Sequence, residues 1–208
     1  MTHRHGRIAV SPTHLRTDAK IARIAVFCGS NFGKADLYRQ GAAALGAALA
    51  EQKIELVFGG TSKGLMKEVA DAVLAGGGSA HGIVPRTLVD RGQQYASLTR
   101  AEIVDTRAAR KRRMAEVADG FIAMPGGIGT VEELFEMWVD AQFDGHKKPL
   151  GLLNLGGFFD GLLAFVDTMI EQGFLPPQHR SMIVADPDPR TLLEAFRSFT
   201  PVTVSKWM

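Results

Sequence analysis

The chain has 208 residues, 46% of them apolar and 22% charged, and its 24 Lys+Arg against 22 Asp+Glu leave a formal charge of +2. At roughly 150 residues per domain this is one domain or a tight pair, with ample chain for a core and too little charge for a nucleic-acid binder. The one cysteine, Cys28, excludes an internal disulfide and any cysteine-based metal cluster, which fits a reducing compartment.

The small positive excess is uneven. Residues 1–23 hold Arg4, Arg7, Arg16, Lys20 and Arg23 against Asp18 alone, a balance of +4, so the rest of the chain stands at −2. Residues 1–20 show no apolar periodicity and read as a mobile basic tail ahead of a single domain over 21–208. No apolar run precedes Ser11-Pro12, as a secretory signal would require. The longest apolar stretch, 150–166, is broken by Asn154, Asp160 and several glycines, short of the ~18 residues of a membrane span. A cytoplasmic protein is expected, with no membrane and no nucleic acid among its partners.

From residue 24 the chain alternates regularly. The run Ile24-Ala25-Val26-Phe27-Cys28 reads as a strand, 29–34 as a turn and the Ala/Leu-rich 35–52 as a helix. The unit repeats as strand 54–58, loop 59–62 and helix 63–75, followed by strand 80–84 closed by Pro85. Residues 86–98 form a loop without a decided structure, then come a short strand 101–104 and a helix 107–118. Strand 121–124 leads through an exit turn, 125–129, into helix 131–143, whose Leu134, Met137, Trp138 and Ala141 mark a core or subunit-interface stripe. Strand 150–153, helix 159–171, an extended piece 182–185 and helix 191–199 complete the series, with Asp186 and Asp188 as turn and cap residues. Strands separated by helices imply an α/β fold, a Rossmann-like doubly wound parallel sheet with helices on both faces. Ligands of such sheets bind beyond the carboxyl ends of the strands.

Three strand-exit loops, 29–33, 59–64 and 125–130, are rich in glycine. A glycine turn into a helix N-terminus points backbone N–H groups, and about half a positive charge, at a ligand, so the three loops suit an anion. None spells G-x-G-x-x-G, residues 59–64 lack P-loop spacing, and no acid closes strand 54–58 where a ribose reader would lie. NAD and ATP-hydrolysing readings are disfavoured.

The segment Pro125-Gly126-Gly127-Ile128-Gly129-Thr130-Val131-Glu132-Glu133 is the most informative. With Gly59-Gly60-Thr61-Ser62-Lys63-Gly64-Leu65-Met66, Phe27-Cys28-Gly29-Ser30 and Arg110-Lys111, it resembles the LOG (LONELY GUY) family of cytokinin riboside 5′-monophosphate phosphoribohydrolases. The resemblance covers about residues 21–198. Members have also been labelled lysine decarboxylases, yet no clear pyridoxal-phosphate lysine context exists in so short a chain. The resemblance implies hydrolysis of the N-glycosidic bond of AMP and N6-substituted adenine riboside 5′-monophosphates, without a cofactor, by a homodimer with sites near the subunit interface. It implies that Glu133 and Arg110 are catalytic and that Gly126, Gly127, Gly129 and Thr130 hold the phosphate. Gly29, Ser30, Gly59, Gly60, Met66 and Lys111 complete the implied substrate site. Two positions depart from the family pattern: Thr61 stands where many members carry glycine, and Arg107-Ala108-Ala109 where Met-His-Glu is common. The second bears on base recognition more than on hydrolysis.

Spacing alone offers plainer readings. Thr130-Val131-Glu132-Glu133 also spells a capping box, with Thr130 as N-cap and Glu133 reaching back to its N–H, and Glu132 reads as a first-turn acid. Arg112 and Arg113 read as a solvated helix face. Cys28, at the end of a buried strand, reads as an inert thiol, and the six histidines show no metal-ligand spacing, so no metal is expected. The alternative from another class is a non-catalytic nucleotide- or molybdopterin-binding carrier, which would use the glycine loops but need no carboxylate.

Overall fold

Alternation along the first strand sets the layering. The computed structural model describes residues 21–202, and the predicted tail, 1–20, lies outside them. In β1 (Arg23–Phe27), Ile24 and Val26, with Cys28 just beyond, join a core that includes Leu45, Leu49, Val69 and Leu192; Ala25 and Phe27 join one with Met114, Leu134 and Trp138. Successive side chains of a strand face opposite ways, so an apolar run without polar alternation must be covered on both sides. Helices α1 (Asp36–Glu51), α2 (Gly64–Ala75) and α7 (Pro189–Arg197) cover one face, and α4 (Arg107–Val117), α5 (Ile128–Gln142) and α6 (Asp160–Glu171) the other.

The remaining strands are β2 (Glu55–Phe58), β3 (Ala80–Pro85), β4 (Arg100–Val104), β5 (Gly120–Ala123), β6 (Leu150–Leu153) and β7 (Ile183–Asp186). All pair in parallel in the order β4-β3-β2-β1-β5-β6-β7. The chain therefore winds outward from β1 to β4, returns to the centre at β5 and winds outward again. The exit loops of β1 and β5 must part in opposite directions, which opens the crevice where doubly wound sheets bind ligands. No helix among the described residues is long and apolar enough to cross a membrane.

Most predicted elements hold within two residues. Asp188 caps α7 by accepting the Thr191 N–H at 2.8 Å, and Asp186 accepts the Asp188 N–H at 2.8 Å, as turn and cap residues should. The undecided stretch 86–98 holds a four-residue helix, α3 (Arg86–Val89), and then returns across the β2 exit loop. There Thr61 bridges Gln94, and the Tyr95 N–H donates to the Gly60 carbonyl at 2.8 Å. Helix α5 is the clearest correction. It starts at Ile128 with extended Gly127 as its N-cap, three residues before the predicted 131, so Thr130 lies inside the first turn and cannot be the N-cap of a capping box.

Candidate active site

The three glycine loops are tied to one another before any ligand arrives. The Gly29 N–H donates to the Pro125 carbonyl at 3.1 Å, and the Leu65 N–H donates to the Gly29 carbonyl at 3.0 Å. Gly64, at φ +50°, seats its backbone against Ser30 and Asn31, and Gly126 lies against Thr130 and the Gly29 nitrogen, so a side chain at either place would collide with backbone. Several of these glycines thus serve loop-to-loop packing. Gly29 spends its N–H on Pro125, and Gly60 is buried at φ +67° with its carbonyl taken by Tyr95.

The open part of the cradle is the start of α5. Gly127, Ile128 and Gly129 are exposed and Gly126 is partly so, whereas Thr130 is buried. Amides of a helix's first turn lack intrahelical acceptors, and the helix dipole adds positive charge there, so this end presents donors to an anion. Ser30 is exposed on the neighbouring β1 loop. A cavity of about 200 Å³ adjoins both loops, walled by residues 29–33, Tyr38, Leu65, 125–127 and Phe158.

One turn further along α5, Glu133 forms an ion pair with Arg110 of α4. Thr106 sets the start of α4 by accepting the Ala109 N–H at 3.0 Å, which fixes the helix that presents Arg110. Both side chains of the pair are only 12% exposed. Arg110 also closes on Gly59: a Cβ there would sit 3.1 Å from Nη1 and 3.5 Å from the Met66 sulfur. Met66 in turn accepts the Thr61 hydroxyl at 3.6 Å, so Gly59, Met66 and Arg110 share one wall. The Arg110 Nε is buried with no partner among the described residues, an unspent donor beside the carboxylate.

Burial pushes the Glu133 carboxyl above the ordinary glutamate range, with a smaller push from Glu132; Arg110, Arg107 and Lys111 pull the other way. Desolvation disfavours the charged form, and the positive charges restore part of it. Cys28 lies within the field of this carboxylate, and burial first, then Glu133, hold its thiol far above the normal range, so it stays protonated and inert.

The predicted residues do not all converge. Lys111, next to Arg110 in sequence, turns to Glu132 and Glu136, because neighbours on a helix point about 100° apart. It braces α4 against α5 from outside the site. Neither Arg110 nor Glu133 lines the cavity beside residues 29–33, so the charged pair and that cavity are separate features of this end of the sheet. The sequence marks Arg107 only as a departure from the family pattern. Its Nη2 lies 4.0 Å from where a Gly129 Cβ would stand, and its charge reaches Glu133. The signal for it was available: a cation at the start of a helix, three residues before Arg110.

The parallel sheet opens at its switch point, with donors at one helix end and a buried carboxylate–guanidinium pair beside them, the place where doubly wound sheets bind ligands. A family model described as "Possible lysine decarboxylase" matches residues 66–196. The probable cytokinin riboside 5′-monophosphate phosphoribohydrolase LOGL9 of Oryza sativa subsp. japonica is 45% identical over 186 residues, covering 88% of this chain and 81% of that one. The cytokinin riboside 5′-monophosphate phosphoribohydrolase LOG7 of Arabidopsis thaliana is 42% identical over 185 residues, covering 89% and 85%. The chain belongs to this family. Among solved structures, the molybdenum cofactor binding protein of Rippkaea orientalis superposes with a TM-score of 0.67 at 20% identity, covering 86% of this chain and 98% of that one, a likeness of fold.

Proposed function

We propose that this protein hydrolyses the N-glycosidic bond of AMP and of N6-substituted adenine riboside 5′-monophosphates, releasing the free base and ribose 5-phosphate. The observation that carries the reading is the buried Arg110–Glu133 pair one turn from the open amides of α5. It stands in a chain whose relatives at 45% and 42% identity are named for this reaction.

The chemistry follows from the geometry. Exposed amides of residues 127–129 bind the 5′-phosphate and fix the ribose relative to the Glu133 turn. As the bond from the anomeric carbon to the base nitrogen lengthens, positive charge builds on the ribose. Ionised Glu133 stabilises that charge or takes the proton of the attacking water, whose oxygen bonds to the anomeric carbon while the base leaves with the bonding pair and gains a proton. Arg110 orients the carboxylate and favours its ionised form against the larger effect of burial, and its unpaired Nε offers a further donor.

The carrier alternative would need no buried carboxylate. Its support is the fold likeness at 20% identity, which is silent on activity, so the pair favours the hydrolase. We also place the protein in the cytoplasm and propose a homodimer. The support for the dimer is an apolar groove between α5 and α6, lined by Phe135, Trp138, Val139, Val166, Met169 and Phe174. Incubation with AMP and with isopentenyladenosine monophosphate should release free base. Adenosine should be a very poor substrate, because remote binding energy at the phosphate aligns the ribose. Equal turnover of adenosine and AMP at saturation would contradict the assignment.

A further inference from the structure

Among the described residues, the Arg110 side chain is hydrogen-bonded to Glu133 alone. Its Nη2 donates to the carboxylate, its Nε has no partner, and its Nη1 lies over Gly59, 3.1 Å from where a Cβ would stand. A guanidinium is a rigid plane of donors, so one hydrogen bond does not fix the tilt of that plane against the carboxylate. Packing must fix it. On the Gly59 side the neighbour is the Met66 thioether, 3.5 Å from the same Cβ position. A methionine side chain is flexible and adapts to whatever space adjoins it, so Met66 confines Arg110 only if its sulfur is itself held.

Thr61 holds it. The Thr61 hydroxyl donates to Met66 Sδ at 3.6 Å, from a side chain that is buried and, being β-branched, stiff at χ1. Its backbone is clasped as well. Thr61 bridges Gln94, the Ser62 N–H donates to the Gln93 carbonyl at 3.4 Å and the Tyr95 N–H to the Gly60 carbonyl at 2.8 Å. The Tyr95 hydroxyl in turn donates to Asp71 at 2.5 Å, and Asp71 stands on α2, the helix that carries Met66. Thr61 and Met66 are thus tied into one unit beside Arg110. A glycine at position 61, the commoner residue in the family, has no hydroxyl to offer, so this hold belongs to the present chain and not to the family pattern.

We propose that Thr61 is a positioning residue for bond cleavage: its hydroxyl holds the Met66 sulfur in place, and Met66 confines the Arg110 guanidinium against Glu133. The inference rests on the hydrolase reading for what the pair does. Thr61 acts through Met66 and not on the substrate. Without the hydroxyl, Met66 samples other rotamers and Arg110 gains room to tilt. Its downward pull on the Glu133 carboxyl then weakens while the push of burial stays.

The test compares Thr61→Val, which keeps the shape and removes the hydroxyl, with Thr61→Ser, which keeps the hydroxyl. The pH profile of kcat/KM for AMP is measured beside a carbon NMR titration of the Glu133 carboxyl, assigned by its absence in Glu133→Gln. Loss of one modest hydrogen bond should lower kcat about two- to tenfold in Thr61→Val, with KM within about twofold of the unaltered protein. The acid limb and the Glu133 midpoint should both move to higher pH, because Arg110 favours the ionised carboxyl less, and Thr61→Ser should restore both. Met66→Leu, close in volume but without the sulfur acceptor, should raise the midpoint in the same way and takes the place of Thr61→Val if that variant does not fold. An unmoved Glu133 midpoint in the folded variant would overturn the proposal, as would a shift in Thr61→Ser as large as that in Thr61→Val. If the unaltered protein does not split AMP, the hydrolase reading fails by itself, and the carboxyl titration still decides whether Thr61 acts on the pair.

Discussion

Glu133 is held between two opposing influences, burial that favours its neutral form and Arg110 that favours its anion, and burial is the larger. If the ionised form does the work, activity must fall on acidification through a value above the ordinary 4.5 of a glutamate, since a raised pKa leaves the carboxyl protonated at higher pH. The acid limb of kcat/KM should therefore lie above that value; a limb below it would contradict the role. Glu132 pushes the same carboxyl up while its own side chain faces Lys111, so Glu132→Gln should stay active and move the acid limb to lower pH. A Glu132→Gln variant without activity, beside an active Glu133→Gln, would place the working carboxylate one residue earlier, at Glu132. The pair also has a structural cost when broken. Glu133→Gln leaves a buried guanidinium without its counter-charge and should lower stability by about 1–3 kcal/mol in urea denaturation.

At the scale of elements, the sheet was legible because its central strands are apolar on both faces and its helices repeat at regular spacing, patterns that local sequence carries. The start of α5 was not. Thr130 resembles an N-cap and glycines resemble a loop, yet the packing of Gly126 against Thr130 and Gly29 draws the helix start back to Ile128. That shift removes the capping explanation for Glu133 and turns it toward Arg110, a contact between residues 23 apart that no local pattern reveals. Residues 86–98 stayed unread for the same reason, since their order comes from the distant bonds of Gln94 and Tyr95 to the β2 loop. Two glycine substitutions separate packing from conformational tolerance. Gly64→Ala forces a methyl into the Ser30–Asn31 backbone at a positive φ, and should lower stability by about 2 kcal/mol or more. Gly127→Ala meets nothing within 4 Å at φ −94°, and should leave the melting temperature essentially unchanged. Equal losses for both would show that the three loops are not packed as described.

For the whole molecule, the apolar α5–α6 groove and the exposed Phe165 and Phe174 are the surface that the proposed dimer would cover. Sedimentation velocity should give a dimer, and Phe174→Asp, at a side chain already 83% exposed, should yield a folded monomer. A monomeric unaltered protein would contradict that reading. Deleting residues 1–20, which lack apolar periodicity, should leave turnover intact. The central claim, that this molecule cleaves nucleotides through the Glu133 carboxylate, is tested most directly by single-turnover hydrolysis of AMP by the unaltered chain and by Glu133→Gln, with AMP binding measured in both. Loss of one charge-stabilising group should lower the rate on the order of 10² or more while AMP still binds. Release of adenine by Glu133→Gln at the unaltered rate would contradict it.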